Sequence, residues 1–371
     1  MSHSFVIKAG VLRFRIPIRS ETTMYGKAFA PEYRGSLGEL SVNTSLEDVL
    51  AKAVEEQRRA QLSGDAVELA HTGLAVAEAS RRLGRVEEAE RAWKDSYRAA
   101  RRAGDRGAMA WAVWSGGTLA RQRGDLALAR RWLATAAELA EQGGDIVARG
   151  YSLAGLAETG RIQGDYEAVG RLHEKLLAEA RKRGEARHTV WALEGIAQMH
   201  RNTGSFDSAL ALFEEAAQIA GDAGDDRGRA WALRGIADVR SAQGDPEAAL
   251  ALLTEAEVLC REIQLVGALA YNHKMRGNVL YRAGRYAEAE ACYSGSLAEF
   301  RAMGEPRGEA LSRLGLVKAK ARQGRAAAET AADLDVLERA LCDIGLQHAE
   351  AMIGKARAEL GVAAADAVPA H

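Results

Sequence analysis

WALEGIAQMHRNTG fills residues 191–204, and WALRGIADVRSAQG fills residues 231–244. Two such similar phrases forty residues apart mark an internal repeat, and the period is the first thing that limits the fold. Gly84, Gly124, Gly164, Gly204, Gly244, Gly284 and Gly324 stand at intervals of forty, heading phrases such as GDLALA, GDYEAV, GSFDSA, GDPEAA and GRYAEA. A second series, Gly64, Gly104, Gly144, Gly184, Gly224 and Gly304, marks the other turn of each unit. Gln264 replaces glycine once, which predicts an irregular joint, and in the last unit the glycine slips to Gly345.

Between the glycines the pattern is helical. Val190, Leu193, Ile196 and Ala197 form one stripe, and Phe206, Leu210, Phe213, Ala217 and Ala220 form another, at the spacing of an amphipathic helix. Glycine stops each helix, and the Asp or Ser behind it caps the next one. Asp245–Pro246 places a cap directly before a proline at the first helical position. Each unit is therefore a helical hairpin that cannot bury its apolar face alone, and stacking on its neighbours buries it.

The expected organisation is a leading half-repeat helix at 45–64, seven hairpins at 65–343, a capping helix at 344–361 and a disordered tail at 362–371. The capping helix should expose Gln347, Glu350, Lys355 and Arg357. Residues 1–44 break the pattern. Leu12, Phe14 and Ile16 alternate with Arg13 and Arg15, a strand signal that predicts a short β-hairpin-like arm. Two strands are marginal alone, so the arm is expected to cap the first helices, with its free edge offering a route to a homodimer.

Composition narrows the function. Apolar residues make up 47 % of the chain and the formal charge is −1, with both signs interleaved. That balance gives no field for nucleic acid or an anionic membrane. No apolar run approaches the roughly 20 residues of a membrane helix. Lys8, Arg13, Arg15 and Arg19 interrupt any signal-type core. Cys260, Cys292 and Cys342 form no CxxC pair, which fits a reduced, cytoplasmic setting.

The units resemble tetratricopeptide repeats. The turn glycine and the small residue after it recur at Gly84/Ala89, Gly124/Ala129, Gly204/Ala209, Gly244/Ala249 and Gly284/Ala289. The large residue of the second helix falls at Trp93, Leu133, Phe213, Leu253 and Tyr293. Unit three departs, with Val169, His173 and Leu176, and unit seven has Glu329 where alanine is expected. The family's usual period is about thirty-four residues. The forty seen here is similar to the longer-helix variety of kinesin light chains, LGN-type adaptors and MalT-like sensor domains. The resemblance implies an all-α, right-handed superhelical solenoid whose first helices line a concave groove.

The groove register is then legible. Trp111, Tyr151, Trp191, Trp231 and Tyr271 share one position, and Trp114, Glu194, Arg234 and Lys274 lie one turn on. Glu158, Gln198, Asp238 and Asn278 follow, then Arg121, Arg161 and Arg201. Offsets of 3, 7 and 10 keep these rows on one side of each helix. The aromatics read either as wedges between units or as a ladder for a peptide. The arginines read either as forks for the carboxylates of an acidic partner or as partners of Glu158 and Glu194. The sequence contains no HExxH, P-loop, GxSxG or dinucleotide fingerprint, and no metal or cofactor is expected. The leading expectation is a non-catalytic scaffold or adaptor, with a regulatory role, binding a protein or peptide in its groove. The alternative is an enzyme or accessory protein of a small-molecule biosynthetic pathway using the charged groove residues.

Overall fold

The computed structural model describes residues 45–343 and 349–362. The expected arm at 1–44, the residues at Gly345 and Gln347, and the tail beyond 362 lie outside the described residues. Within them the chain is sixteen α-helices with no strand. α1 (Leu46–Ser63) leads. The hairpins follow as α2 (Ala66–Arg82) with α3 (Val86–Ala103), α4 (Arg106–Gln122) with α5 (Leu126–Gly143), α6 (Ile146–Gln163) with α7 (Tyr166–Arg183), and α8 (Ala186–Asn202) with α9 (Phe206–Ala223). They continue as α10 (Asp226–Ala242) with α11 (Pro246–Glu262), α12 (Val266–Arg282) with α13 (Tyr286–Ala302), and α14 (Pro306–Arg322) with α15 (Ala327–Asp343). α16 (Ala349–Leu360) closes the stack.

The turn chemistry accounts for the helix ends. Gly204 sits at φ 82°, and the Ser205 amide donates back to the His200 carbonyl at 2.8 Å. That is the left-handed closure for which glycine is preferred. Asp245 caps α11 by accepting from the Ala248 amide at 3.1 Å, with Pro246 at the first position. α16 buries Ala349, Ile353 and Ala356 against Leu334, Leu337 and Leu341 of α15, while Glu350 and Lys355 stay exposed. Arg357 differs from expectation: it is half-buried, paired with Asp335 and lying 3.5 Å from Glu338.

Seating of large side chains on glycines fixes the stacking register. The Phe213 ring of α9 rests on Gly235 of α10, and the Tyr293 ring of α13 rests on both Gly277 and Gly315. Leu133 packs against Gly117 and Gly155, and His173 fills the same slot on Gly195 in the divergent third unit. In these units a large residue of the second helix seats on a first-helix glycine of its own or the next hairpin, whereas Leu253 of α11 packs with Met275 where the forty-residue step would place glycine.

Accumulated rotation brings the ends of the superhelix together. Met303, in the turn after α13, packs on Gly84 in the turn after α2. Leu126 and Ile162 share an apolar cluster with Ala310, Leu314 and Val317 of α14. The first helices of the early units therefore face those of the late units across the axis. No described helix is long and apolar enough to cross a membrane.

Candidate functional site

The inner faces of the first helices enclose a cavity of about 320 Å³, within the size range of small-ligand sites. Its wall carries Trp114, Arg121, Tyr151, Glu158, Arg161 and Trp191 from α4, α6 and α8. Glu194, Gln198 and Arg201 of α8, Trp231 and Arg234 of α10, and Tyr271 and Lys274 of α12 complete the part expected from the sequence. Trp111, Asp238 and Asn278 lie off this wall. Trp111 is 6 % exposed and donates from Nε1 to Asp145 at 2.8 Å. Asn278 accepts from the Tyr293 hydroxyl at 2.9 Å. Asp238 is 2 % exposed and pairs with Arg201 and, at 2.7 Å, with Arg282.

The aromatic row divides into two groups. Trp111, Trp114 and Tyr151 are buried, with ring centroids 4.9–5.4 Å apart, and Trp114 Nε1 donates to the Tyr151 carbonyl. Their edge-to-face packing is that of a core. Trp191 and Trp231 are half-buried and take guanidinium groups on their faces, Arg227 at 5.5 Å and Arg234 at 4.2 Å from the ring centroids. Such stacking holds a cation in place without neutralising it.

The wall holds eight basic side chains and two carboxylates. Three of the cations are internally matched. Arg161 makes a two-pronged pair with Glu158 at 2.8 and 2.6 Å, Arg81 pairs with Glu78 at 2.7 Å, and Arg201 pairs with Asp238. Burial alone would raise the Glu158 carboxyl, but Arg161 and the more distant Arg121 and Arg307 bring it down to about 2. Arg121, Arg227, Arg234 and Lys274 make no ion pair among the described residues, and Arg307 donates only to the Tyr271 hydroxyl, at 3.1 Å. Burial draws Arg121, Arg227 and Arg234 below the usual arginine range, although guanidinium stays charged near neutrality. Burial, reinforced by Arg307, Arg201, Arg234 and Arg282, lowers the Lys274 ammonium to about 7.

Glu194 has the opposite problem. Burial pushes its carboxyl up to about 8 despite the attraction of Arg234, and its Oε1 has no hydrogen-bond partner. The His173 ring, lowered by burial to about 4, is neutral. No cluster of three metal-ligating side chains occurs among the described residues. Three charged cavity residues were missed by the sequence reading: Arg81, Arg227 and Arg307. Arg227 precedes Trp231 by one helical turn, so extending the aromatic register by i−4 finds it, and the same step from Leu311 finds Arg307. A second hollow of about 700 Å³, at Gly104–Gly107 and Gly143–Ile146, has only Asp105, Arg106 and Asp145 as charged residues. Both aspartates there already cap helices.

A helical-repeat protein with a cationic inner face is the class these observations define. Residues 189–262 match the family model described as tetratricopeptide repeat. The chain is similar to a Rap protein solved with competence and sporulation factor, with TM-score 0.58 and 14 % identity over 88 % of this chain and 97 % of that one. It is similar as well to the Rap conjugation gene regulator of plasmid pLS20 solved with a peptide, with TM-score 0.60 and 14 % identity over 82 % and 79 %. A chain of the APC/C hetero-tetramer Cut9-Hcn1 gives 0.54 and 13 % over 86 % and 54 %. No curated protein matches. Identities this low speak for the fold alone. The family model thus marks residues 189–262 as tetratricopeptide repeats, and the forty-residue unit and these neighbours give the chain the fold of that superfamily.

Proposed function

We propose that the protein is a non-catalytic receptor that takes a short, acidic peptide segment into the chamber between its first helices, with a regulatory output. The observation that carries this reading is the set of unmatched cations, Arg121, Arg227, Arg234 and Lys274, beside the half-buried Trp191 and Trp231. A ligand's carboxylates would satisfy charges that the fold leaves uncompensated, while its apolar side chains would cover the indole faces. The fold shared with two Rap proteins, one solved with a factor and one with a peptide, supports a peptide-sized ligand.

The test is selection of short random peptides on the immobilised protein, followed by titration of the winners. Enrichment in Asp and Glu is expected, with affinity lost in Arg121→Ser/Arg234→Gln. These two are chosen over Arg161 and Arg201 because removing the latter would leave Glu158 or Asp238 short of a partner. Winners without acidic residues, or binding indifferent to the double substitution, would overturn the reading.

One observation favours the enzymatic alternative. Glu194 and Lys274 are an acid drawn upward and an amine drawn downward on one wall, the pairing used for proton transfer. An amine neutral near pH 7 is unusually nucleophilic. Amine-selective labelling at that pH should then lose its fastest site in Lys274→Met.

A further inference from the structure

Charge density in the chamber exceeds what one carboxylate can answer. Arg121, Arg227, Arg234, Lys274 and Arg307 line it without a carboxylate within ion-pair distance among the described residues, and the Oε1 of Glu194 on the same wall has no hydrogen-bond partner. Arg234 is fixed between the Trp231 and Tyr271 rings, 4.2 and 5.7 Å from their centroids, and Arg307 is tied to the Tyr271 hydroxyl. Guanidinium forks held in place by rings are preorganised for planar oxygen pairs. Resting on the receptor reading above, we infer that the chamber's preferred ligand group is a compact polyanion of phosphoryl type, carrying several negative charges within a few ångströms, rather than isolated carboxylates spread along a chain.

Inorganic pyrophosphate is the probe, titrated calorimetrically at constant ionic strength beside acetate and citrate. Saturable one-to-one binding of pyrophosphate is expected, at least about tenfold tighter than citrate, with acetate not binding. Arg234→Gln and Lys274→Met should each weaken it about tenfold, while Arg58→Gln, on the exposed face of α1, should not. A Lys274→Met variant whose urea midpoint is not below that of the native chain separates loss of binding from unfolding. No saturable pyrophosphate binding, or citrate binding equally well, overturns the inference. If acidic peptides bind while pyrophosphate does not, the receptor reading survives and the phosphoryl inference alone falls.

A second inference rests on a different observation. Gln264 is the one described non-glycine residue at positive φ, 52°, in a turn position filled by glycine in six other units. Its Oε1 accepts from Ser45 Oγ at 3.0 Å and from the Glu47 amide at 3.2 Å, joining residues more than two hundred positions apart. We propose that Gln264 is a latch between the leading helix and the turn joining the fifth and sixth hairpins, kept in a strained conformation because only a side chain there reaches α1. Replacing it by glycine removes the strain and the latch together, so the local and long-range roles predict opposite results. With a latch, Gln264→Gly should speed amide exchange in the first turn of α1 and at residues 83–86, and raise iodide quenching of tryptophan fluorescence. Gln264→Asn, one methylene too short but tolerant of positive φ, should do the same. Unchanged exchange or quenching in both variants would reduce Gln264 to an ordinary turn residue.

Discussion

Arg187 Nε and Nη2 donate to the two carboxylate oxygens of Asp225 at 3.1 and 3.0 Å, with the side chains 4 % and 2 % exposed. The pair does more than join α8 to α10. Asp225 also caps α10 through the Gly228 amide at 3.1 Å, and Arg187 reaches the Tyr151 hydroxyl on α6 at 3.3 Å. Burial alone would raise the Asp225 carboxyl, but Arg187 holds it below the usual range. Its stabilising contribution is therefore present above its ordinary value of 3.8 and lost as pH falls through the lower folded value.

Breaking this pair from either side should leave a buried group uncompensated and cost about 3–5 kcal/mol. Arg187→Met and Asp225→Ala, measured by urea unfolding, should each show that loss. The double substitution should cost clearly less than their sum, since neither charge is then stranded. Strict additivity would mean that the two side chains act independently.

Gly235 and Gly295 offer the same substitution with opposite signs. A Cβ on Gly235 would run into the Phe213 ring, whereas one on Gly295, exposed in α13, meets nothing within 4 Å. Gly235→Ala should therefore cost about 1–3 kcal/mol by overpacking. Gly295→Ala should stabilise by about 0.5–1 kcal/mol through helix propensity. Thermal melts of the two variants moving in one direction would refute the seating rule.

The tryptophans separate in a similar way. Trp111 and Trp114 are each 6 % exposed, while Trp191 and Trp231 remain half-buried. Trp111→Ala should cost about 3–5 kcal/mol. Trp191→Ala should cost less, because part of its surface is already wet, and should register mainly in ligand binding. Equal destabilisation in the two variants would make the whole row structural.

This division shows what one sequence can and cannot disclose. Gly204 at φ 82° and the Asp245–Pro246 cap are local facts, so the hairpins and their ends were legible from residue type and spacing. The aromatic and arginine rows were legible too, since 40-residue steps repeat a helix face. Rotamers and partners were not. Asp238 belongs to the same row as Glu158, yet it turns away from the cavity to Arg201 and Arg282. The meeting of Met303 with Gly84 was equally hidden, because it depends on small rotations summed over six units. That summation turns an expected groove into a chamber. It also brings Arg307 close enough for its charge to act on Arg121 and Glu158.

Titration of the chamber gives a last prediction with a crossing signature. The Lys274 ammonium titrates at about 7 in the folded chain against an ordinary 10.5, so between those values the unfolded chain binds more protons. Stability linked to Lys274 therefore rises with pH across that window and is lost as pH falls through about 7. Glu194 runs the other way. Its carboxyl titrates at about 8 against 4.5, the folded chain binds more protons in between, and its contribution is lost as pH rises through about 8. Lys274→Met should thus stabilise most below pH 7 and lose its advantage toward 10.5. Glu194→Gln should gain little near 4.5 and most above 8. Each gain should exceed about 1 kcal/mol, the worth of a single pKa unit. Urea midpoints followed across this range should give two curves of opposite slope. Parallel curves would mean that neither group is desolvated in the chamber.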